Sequence, residues 1–211
     1  MPSTSERAAS LAKEIVSRSF SGRALIAIAG PPGAGKSTLA DALVQRLNTT
    51  LPDAPVVAVP MDGFHYDNLI LDARGLRARK GAPETFDASG FLALLHRLRI
   101  ATDDVAIPVF DRSMDLSRAS ARMIEPRHRL LVVEGNYLLL DRPVWRNLRP
   151  LFDMTIFLKP TLATIEERLI QRWLVHGYQR DEAITKARGN DLANAEVILA
   201  ESGPADLTLQ D

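Results

Sequence analysis

An apolar run from Ala24 to Ala29 breaks at Gly30 into Gly30-Pro31-Pro32-Gly33-Ala34-Gly35-Lys36-Ser37, and apolar residues then return at helical spacing as Leu39, Leu43, Val44 and Leu47. The octet satisfies GxxxxGK[ST] without a mismatch, between a strand-length run and a helix. Glycines there let the backbone wrap until several N–H groups converge on one point, and the helix that follows adds its positive end. Such a cradle suits phosphate. The spacing assigns Gly30, Pro31, Pro32, Gly33, Ala34, Gly35, Lys36, Ser37 and Thr38 to a nucleotide. Lys36 reaches for the β- and γ-phosphates, Ser37 for Mg²⁺, and Thr38 offers a hydroxyl to the α-phosphate. The glycines do not fall in G-x-G-x-x-G register, so a dinucleotide site is disfavoured.

Further short apolar runs lie at Val56–Val59, Leu130–Val133, Thr155–Leu158 and Leu207–Leu209, alternating with amphipathic stretches. One leads the chain over residues 5–18, with Ala8, Leu11, Ala12 and Ile15 on one face. Uninterrupted apolar strands between helices imply a parallel sheet covered on both faces. The expectation is an α/β fold of the P-loop NTPase type, three layers α/β/α on a five-stranded parallel sheet. Its 211 residues suit a single domain, 1–211. Between the second and third strands lies an insertion, about 63–128. It contains a helix marked by Phe91, Leu94, Leu95 and Leu98 and two strand candidates, Val105–Phe110 and Ala121–Glu125. The segment 161–190 is read as a helical lid.

Composition removes competing chemistries. The chain has no cysteine, which excludes thiol nucleophiles, disulfides and Cys-based metal sites. His65, His96, His128 and His176 are scattered without metal-ligand spacing, and His96 sits among helical apolar residues with no assigned role. Lys plus Arg and Asp plus Glu are 26 each. That balance disfavours nucleic acid or an acidic membrane as partner. No apolar run approaches membrane-spanning length, and Glu6 and Arg7 precede any hydrophobic stretch, so the expected location is the cytoplasm. Oligomeric state is unreadable; a homodimer is possible. Neither an Asn-Lys-x-Asp guanine-reading motif nor an LSGGQ-like signature is present. A small kinase is the reading that remains.

All strands of a parallel sheet end along one edge. The second strand runs into Pro60-Met61-Asp62-Gly63-Phe64-His65 and the third into Glu134-Gly135-Asn136, so two carboxylates arrive beside the phosphate loop. Phosphoryl transfer needs one carboxylate to take the attacking hydroxyl's proton and others to support Mg²⁺. Asp62 is assigned as the base and Glu134 to the metal.

Those segments, with Arg79-Lys80-Gly81-Ala82-Pro83-Glu84-Thr85-Phe86-Asp87 and Pro108-Val109-Phe110-Asp111-Arg112, follow one another in an order that resembles the uridine kinase, phosphoribulokinase and bacterial pantothenate kinase superfamily. Asp-Gly-Phe-His with Glu-Gly-Asn-Tyr is most similar to small bacterial nucleoside/nucleotide kinase-like and fructose transport system kinases. The resemblance covers about residues 20–200. It implies ATP-dependent phosphorylation of a small-molecule hydroxyl, with Asp62 in the position of the family's base. It also implies a lid helix that brings arginines onto the transferred group. Here that helix opens at Pro160-Thr161 and carries Arg168 and Arg172, four residues apart and so on one face. Gly177 and Gly189 bracket the segment as hinges. The resemblance further places Asn194-Ala195 near the adenine.

For the acceptor the candidates are His65, Tyr66, Arg79, Lys80, Phe86, Phe110, Arg112, Asn136 and Tyr137. Arg and Lys suit an anionic or polyhydroxylated ligand; the aromatics suit a ring or apolar face. The expected activity is phosphorylation of a sugar, nucleoside or pantothenate-like alcohol, with a lean to a sugar such as fructose by resemblance. A non-catalytic nucleotide-binding regulator and an acceptor-independent NTPase are the alternatives.

Overall fold

The computed structural model describes residues 2–175 and 177–211; Met1 and His176, the latter inside the expected lid, lie outside the described residues. Strand β1 (Ala24–Ala29) is buried at all six positions because strands flank both its edges and apolar layers cover both its faces. β5 (Leu130–Gly135) pairs parallel to one edge of it and β6 (Met154–Lys159) to the other. β2 (Val56–Pro60) extends the sheet beyond β5, and β7 (Leu207–Gln210) extends it beyond β6. The order β2-β5-β1-β6-β7 is wholly parallel, as the apolar runs predict.

Register sets the site. Ala29 pairs with Gly135, and Pro60 pairs with Glu134, so three strands end at one level. The phosphate loop, the segment carrying Asp62, and Glu134 are thereby brought together at the sheet's C-terminal edge, where the strand order reverses about β1.

Alternate side chains of each strand enter opposite layers, although both sides are apolar. Leu25, Ala27, Val59 and Val133 pack with Phe91, Leu95 and Leu98 of helix α4 (Ala88–Ile100). Ile26, Ile28, Val132 and Ile156 pack with Leu39, Leu43 and Leu47 of helix α2 (Lys36–Thr50) and with Leu11 and Ile15 of helix α1 (Thr4–Ser17). α1 starts with a capping box: the Glu6 N–H donates to Ser3 Oγ at 3.2 Å, and the Ser3 N–H donates to the Glu6 carboxylate at 2.7 Å.

The insertion holds a short helix α3 (Asn68–Ala73), α4 and an antiparallel hairpin, β3 (Val105–Asp111) with β4 (Leu116–Ile124). β4 starts earlier than its apolar residues foretell, at Leu116 rather than Ala121. Its middle is exposed, so cross-strand pairing and not burial defines it. The Arg122 guanidinium donates to the Ala58 carbonyl at 2.7 Å, tying the hairpin to β2. Buried Arg23 donates to the carbonyls of Leu98, Glu125 and His128 at 2.7–3.0 Å, joining the last turn of α4 and the segment after β4 to the base of β1.

After β6 come α5 (Leu162–Val175), α6 (Arg180–Lys186), a π-helical turn over 187–191 and α7 (Leu192–Glu201). Gly189 breaks the helical path with ψ −114°. Ile165, Leu169, Ala187 and Ala195 form a small core joining these helices, separate from the sheet's two layers. Among the described residues no helix is long and apolar enough to cross a membrane.

Candidate active site

The loop between β1 and α2 takes its shape from what surrounds it. A side chain at Gly30 would bring Cβ to 2.7 Å from the Leu158 carbonyl oxygen, so only glycine lets the loop leave the sheet beside β6. Lys36 lies in the first turn of α2, buried, and its ammonium donates to the Pro31 carbonyl at 2.9 Å. Burial pulls its pKa down to about 8, partly offset by the charges of Glu134 and Asp62. A group with that environment gains most when a phosphate supplies the missing countercharge.

Ser37 donates its hydroxyl to Glu134 at 3.3 Å. Glu134 is buried at the end of β5; burial and then the nearby Asp62 charge push its pKa up, against the pull of Lys36 and the Ser37 hydrogen bond. Among the described residues no group of three or more His, Cys, Asp or Glu could hold a metal by itself. Two protein oxygens beside a phosphate cradle suit a hard cation that takes its remaining ligands from phosphate and water, as Mg²⁺ does.

Asp62 follows β2 in a short 3₁₀ turn, Met61–Phe64. That turn lies hard against β3: a Cβ on Gly63 would collide with the Pro108 carbonyl. Asp62 is only partly buried and accepts a hydrogen bond from Arg112 at 2.8 Å. Arg112, from the turn after β3, is mostly exposed, and its charge reaches Lys36, Glu134 and Asp191 as well.

His65 donates Nδ1–H to the Asp62 carbonyl at 2.8 Å and lies between Phe86 and Phe110, with ring centroids at 4.0 and 4.7 Å. Burial lowers its pKa, outweighing the charge of Asp62. The imidazole is therefore neutral near pH 7, with Nε2 free of its proton. His65 and Arg112 contact Asp62, Phe110 packs on His65, and Asn136, directly after β5, is half-buried.

The other acceptor candidates are engaged within the protein. Tyr137 is fully buried; its hydroxyl donates to the Gly81 carbonyl at 2.6 Å and its ring packs on Trp145, so it supports the wall instead of lining it. Phe86 is buried too and offers only the face that stacks on His65. Lys80 spends its ammonium on the carbonyl and carboxylate of Asp115 and on Asn68, at 2.7–2.8 Å, and secures the hairpin tip. Arg79 faces outward to Glu84, and Tyr66 lies under the Arg74 guanidinium.

The two arginines of α5 diverge. Arg172 approaches Asp191 at 3.7 Å, and its charge is felt at Lys36, so it faces the phosphate side. Arg168, one turn earlier, pairs with Asp211 at 3.2 Å. It lines a cavity of about 490 Å³ that opens beside Gly35 and Thr38, on the far side of the loop from Asp62. A shared helical face does not imply a shared anion, because Asp211 just after β7 and Asp191 in the π-turn each supply a carboxylate. Asn194 and Ala195 are buried and do not line that cavity; Asn194 lies close to Gly81.

Two acidic residues at the site escaped the sequence reading. Asp191 is pushed up in pKa by burial, with Arg172 pulling it down. Asp111 accepts from Ser113 and the Met114 N–H and shapes the turn that presents Arg112. A signal for Asp111 was present in Asp-x-Ser, an Asx-turn pattern. Asp191 carried none, being one charge in a polar run, Arg188-Gly189-Asn190-Asp191.

A candidate uridine kinase of Schizosaccharomyces pombe is 35% identical over 195 residues, covering 89% of this chain and 83% of that protein. The pantothenate kinase of Enterococcus faecalis is 32% identical over 151 residues, 71% of this chain but only 49% of its own length. The crystal structure of a candidate fructose transport system kinase from Silicibacter superposes with a TM-score of 0.90 at 47% identity, covering 96% of this chain and 98% of that one. The profile of the Phosphoribulokinase / Uridine kinase family matches residues 25–194. Matched by that family's profile over most of its length, the chain belongs to the phosphoribulokinase/uridine kinase family and is a small-molecule kinase with an alcohol as acceptor.

Proposed function

We propose that the protein transfers the γ-phosphoryl group of ATP to a hydroxyl of a small polyhydroxylated metabolite of the sugar type. The observation that carries this reading is the placement of Asp62 against the phosphate loop. Its carboxylate acts on the charges of both Lys36 and Glu134, while one of its oxygens is held by the exposed Arg112. A carboxylate so placed takes the proton from an entering hydroxyl as the oxygen attacks phosphorus.

The residues divide the work. Backbone N–H groups of the loop and Lys36 hold the phosphates. Ser37 and Glu134 hold Mg²⁺, which supplies charge neutralisation on the phosphate oxygens when bound. Arg172 sits where a closing lid sets a guanidinium against the transferring group. His65 is neutral and Arg112 and Asn136 are polar, so the acceptor meets hydrogen-bonding groups. The large aromatics Tyr137 and Phe86 are withdrawn into the core. That balance favours an acceptor dense in hydroxyls over one with a long apolar tail. The likeness to the Silicibacter protein supports the sugar lean.

A panel of sugars, nucleosides and pantothenate, each with ATP and Mg²⁺, tests the reading through acceptor-stimulated ADP release. Stimulation by a sugar supports it, and stimulation by pantothenate or a nucleoside alone replaces the sugar assignment. ADP release indifferent to every acceptor would leave an NTPase, and no release at all a nucleotide-binding regulator.

A further inference from the structure

Lys80 belongs to a short segment whose backbone is pinned from three directions. Its own carbonyl accepts from the Asn190 amide at 2.7 Å. The next residue, Gly81, donates its N–H to Thr85 Oγ1 at 2.9 Å and accepts from the buried Tyr137 hydroxyl at 2.6 Å. Gly81 holds φ at +102°, a backbone state that glycine reaches without strain. The main chain at Lys80 is therefore a fixed point.

The side chain that leaves this point is fully committed. An ammonium has three donors. They go to Asn68 Oδ1 at 2.7 Å, to the Asp115 carbonyl at 2.8 Å and to the Asp115 carboxylate at 2.7 Å. None is left for a metabolite. The ammonium also lies 5.0 Å from the centre of the Phe110 ring, which packs on His65. Only 14% of the Lys80 side chain is exposed, against 54% for Asp115, so the lysine is the anchor and the aspartate is what it holds.

Asp115 belongs to the tip of the β3–β4 hairpin. The Asp111 carboxylate accepts from the N–H groups of Ser113 and Met114 at 3.1 and 3.2 Å, which makes 111–115 one compact turn. Residues 112–115 are all exposed, so little apolar burial holds the turn in place. Fixing Asp115 thus fixes the reach of Arg112, whose guanidinium closes on Asp62 at 2.8 Å.

We propose that Lys80 is a positioning residue for the transfer reaction: it clamps the hairpin tip so that Arg112 covers Asp62 until an acceptor enters. The inference rests on the reading of Asp62 as the base. A covered carboxylate has an oxygen already bonded and is screened from water, so ATP is spared hydrolysis while the acceptor site is empty. An entering hydroxyl displaces the flexible arginine stem, and the clamp confines the movement to that stem.

The test measures ADP release from ATP and Mg²⁺ without acceptor, in wild-type protein and in Lys80→Met, Asp115→Gly, Arg112→Ala and Lys80→Met/Arg112→Ala. Methionine keeps the length of the stem without its charge, and glycine tolerates the φ of +53° at position 115. Loss of a hydrogen bond to a charged group shifts a local equilibrium by about tenfold. Lys80→Met should therefore raise acceptor-independent release by up to about tenfold, toward the level of Arg112→Ala, and Asp115→Gly should act in the same direction. In the double variant the Lys80 change should add nothing, because the group it positions is already gone. ATP affinity, read calorimetrically, should stay within about twofold in Lys80→Met and Asp115→Gly, since the phosphate loop is untouched. Trypsin reads the tip itself: cleavage after Arg112 or Arg118 should speed up in both variants.

Wild-type rates of release in both Lys80→Met and Asp115→Gly would overturn the inference whatever the cleavage. So would a double variant that exceeds Arg112→Ala by the full factor seen for Lys80→Met alone. Asp62→Asn separates the clamp from the reading beneath it. If that variant loses acceptor-dependent turnover while Lys80→Met behaves as wild type, the clamp falls alone; if it keeps turnover, the base assignment falls and the clamp with it.

Discussion

Arg112 and Asp62 meet at 2.8 Å across the mouth of the cleft, a guanidinium from a hairpin turn closing over a carboxylate at the end of β2. The guanidinium is mostly exposed and the carboxylate is not, so the arginine is the partner free to swing away. Asp62→Asn keeps the shape and removes the proton acceptor. It should lower acceptor-dependent ADP release by about 10²–10⁴-fold and leave ATP affinity within about twofold, since the loop that binds phosphate is untouched. Turnover close to wild type would retire Asp62 as the base.

Removing the arginine should have the opposite effect on water. In Arg112→Ala the Asp62 carboxylate is uncovered with no acceptor in place, and acceptor-independent ATP hydrolysis should rise several-fold. The double variant Arg112→Ala/Asp62→Asn should lose that rise. ADP release without acceptor, measured in the three variants, checks both statements.

Lys36 makes nucleotide binding depend on pH. Its pKa of about 8 in the free protein lies below the ordinary 10.5 because burial disfavours the charged form. A bound triphosphate restores the charge, so binding near pH 8 should take up a fraction of a proton. Calorimetry in buffers of different ionisation enthalpy measures that uptake. Above pH 8 affinity should fall, by at most about tenfold per pH unit. The sign for stability is the reverse. Between about 8 and 10.5 the unfolded chain binds more protons at Lys36 than the folded one, so this group's contribution to stability rises with pH there. Lys36→Met should abolish both the proton uptake and the slope.

Glu134 is a buried carboxylate whose charge is disfavoured by burial and by Asp62. Glu134→Gln removes that charge while keeping an oxygen for the Ser37 hydroxyl. The variant should melt a few degrees higher, about 2–4 °C for each kcal/mol gained in a chain this size. Its Mg²⁺-dependent turnover should fall by at least about tenfold. A lower melting temperature would show that the ionised carboxylate is stabilising.

The lid arginines should separate by parameter. Arg172→Ala faces the phosphate side and should reduce kcat by about 10²-fold or more with little change in ATP affinity. Arg168→Ala borders the cavity beside Thr38 and should weaken ATP binding by several-fold while sparing kcat at saturation. Steady-state kinetics in ATP distinguishes these patterns from a common loss of both parameters.

The five strands were readable because each is a short apolar run, a local pattern that burial on both faces imposes directly on composition. The phosphate loop was readable for a related reason: its function depends on backbone conformation, and glycine at set intervals is the residue-level trace of that conformation. Asp62 and Glu134 were legible as strand-end acids because a parallel sheet sends all its C-termini to one edge. β4 was shortened to its apolar end, since the exposed positions that pair with β3 carry no hydrophobic signal.

Side-chain direction was not encoded in the same local way. Tyr137 and Asn136 are neighbours after the same strand, yet Tyr137 is sealed against Trp145 and Gly81 and Asn136 remains half-buried. Lys80 reads as a basic ligand group in sequence but is consumed by Asp115, 35 residues away. Arg168 and Arg172 share a helical face and part company because Asp211 and Asp191 wait on different elements. Elements and cradle follow from periodicity and backbone chemistry, which act within a dozen residues. Which polar groups remain open to a ligand depends on partners that only long-range packing brings within about 3 Å, so that choice was made by the folded chain.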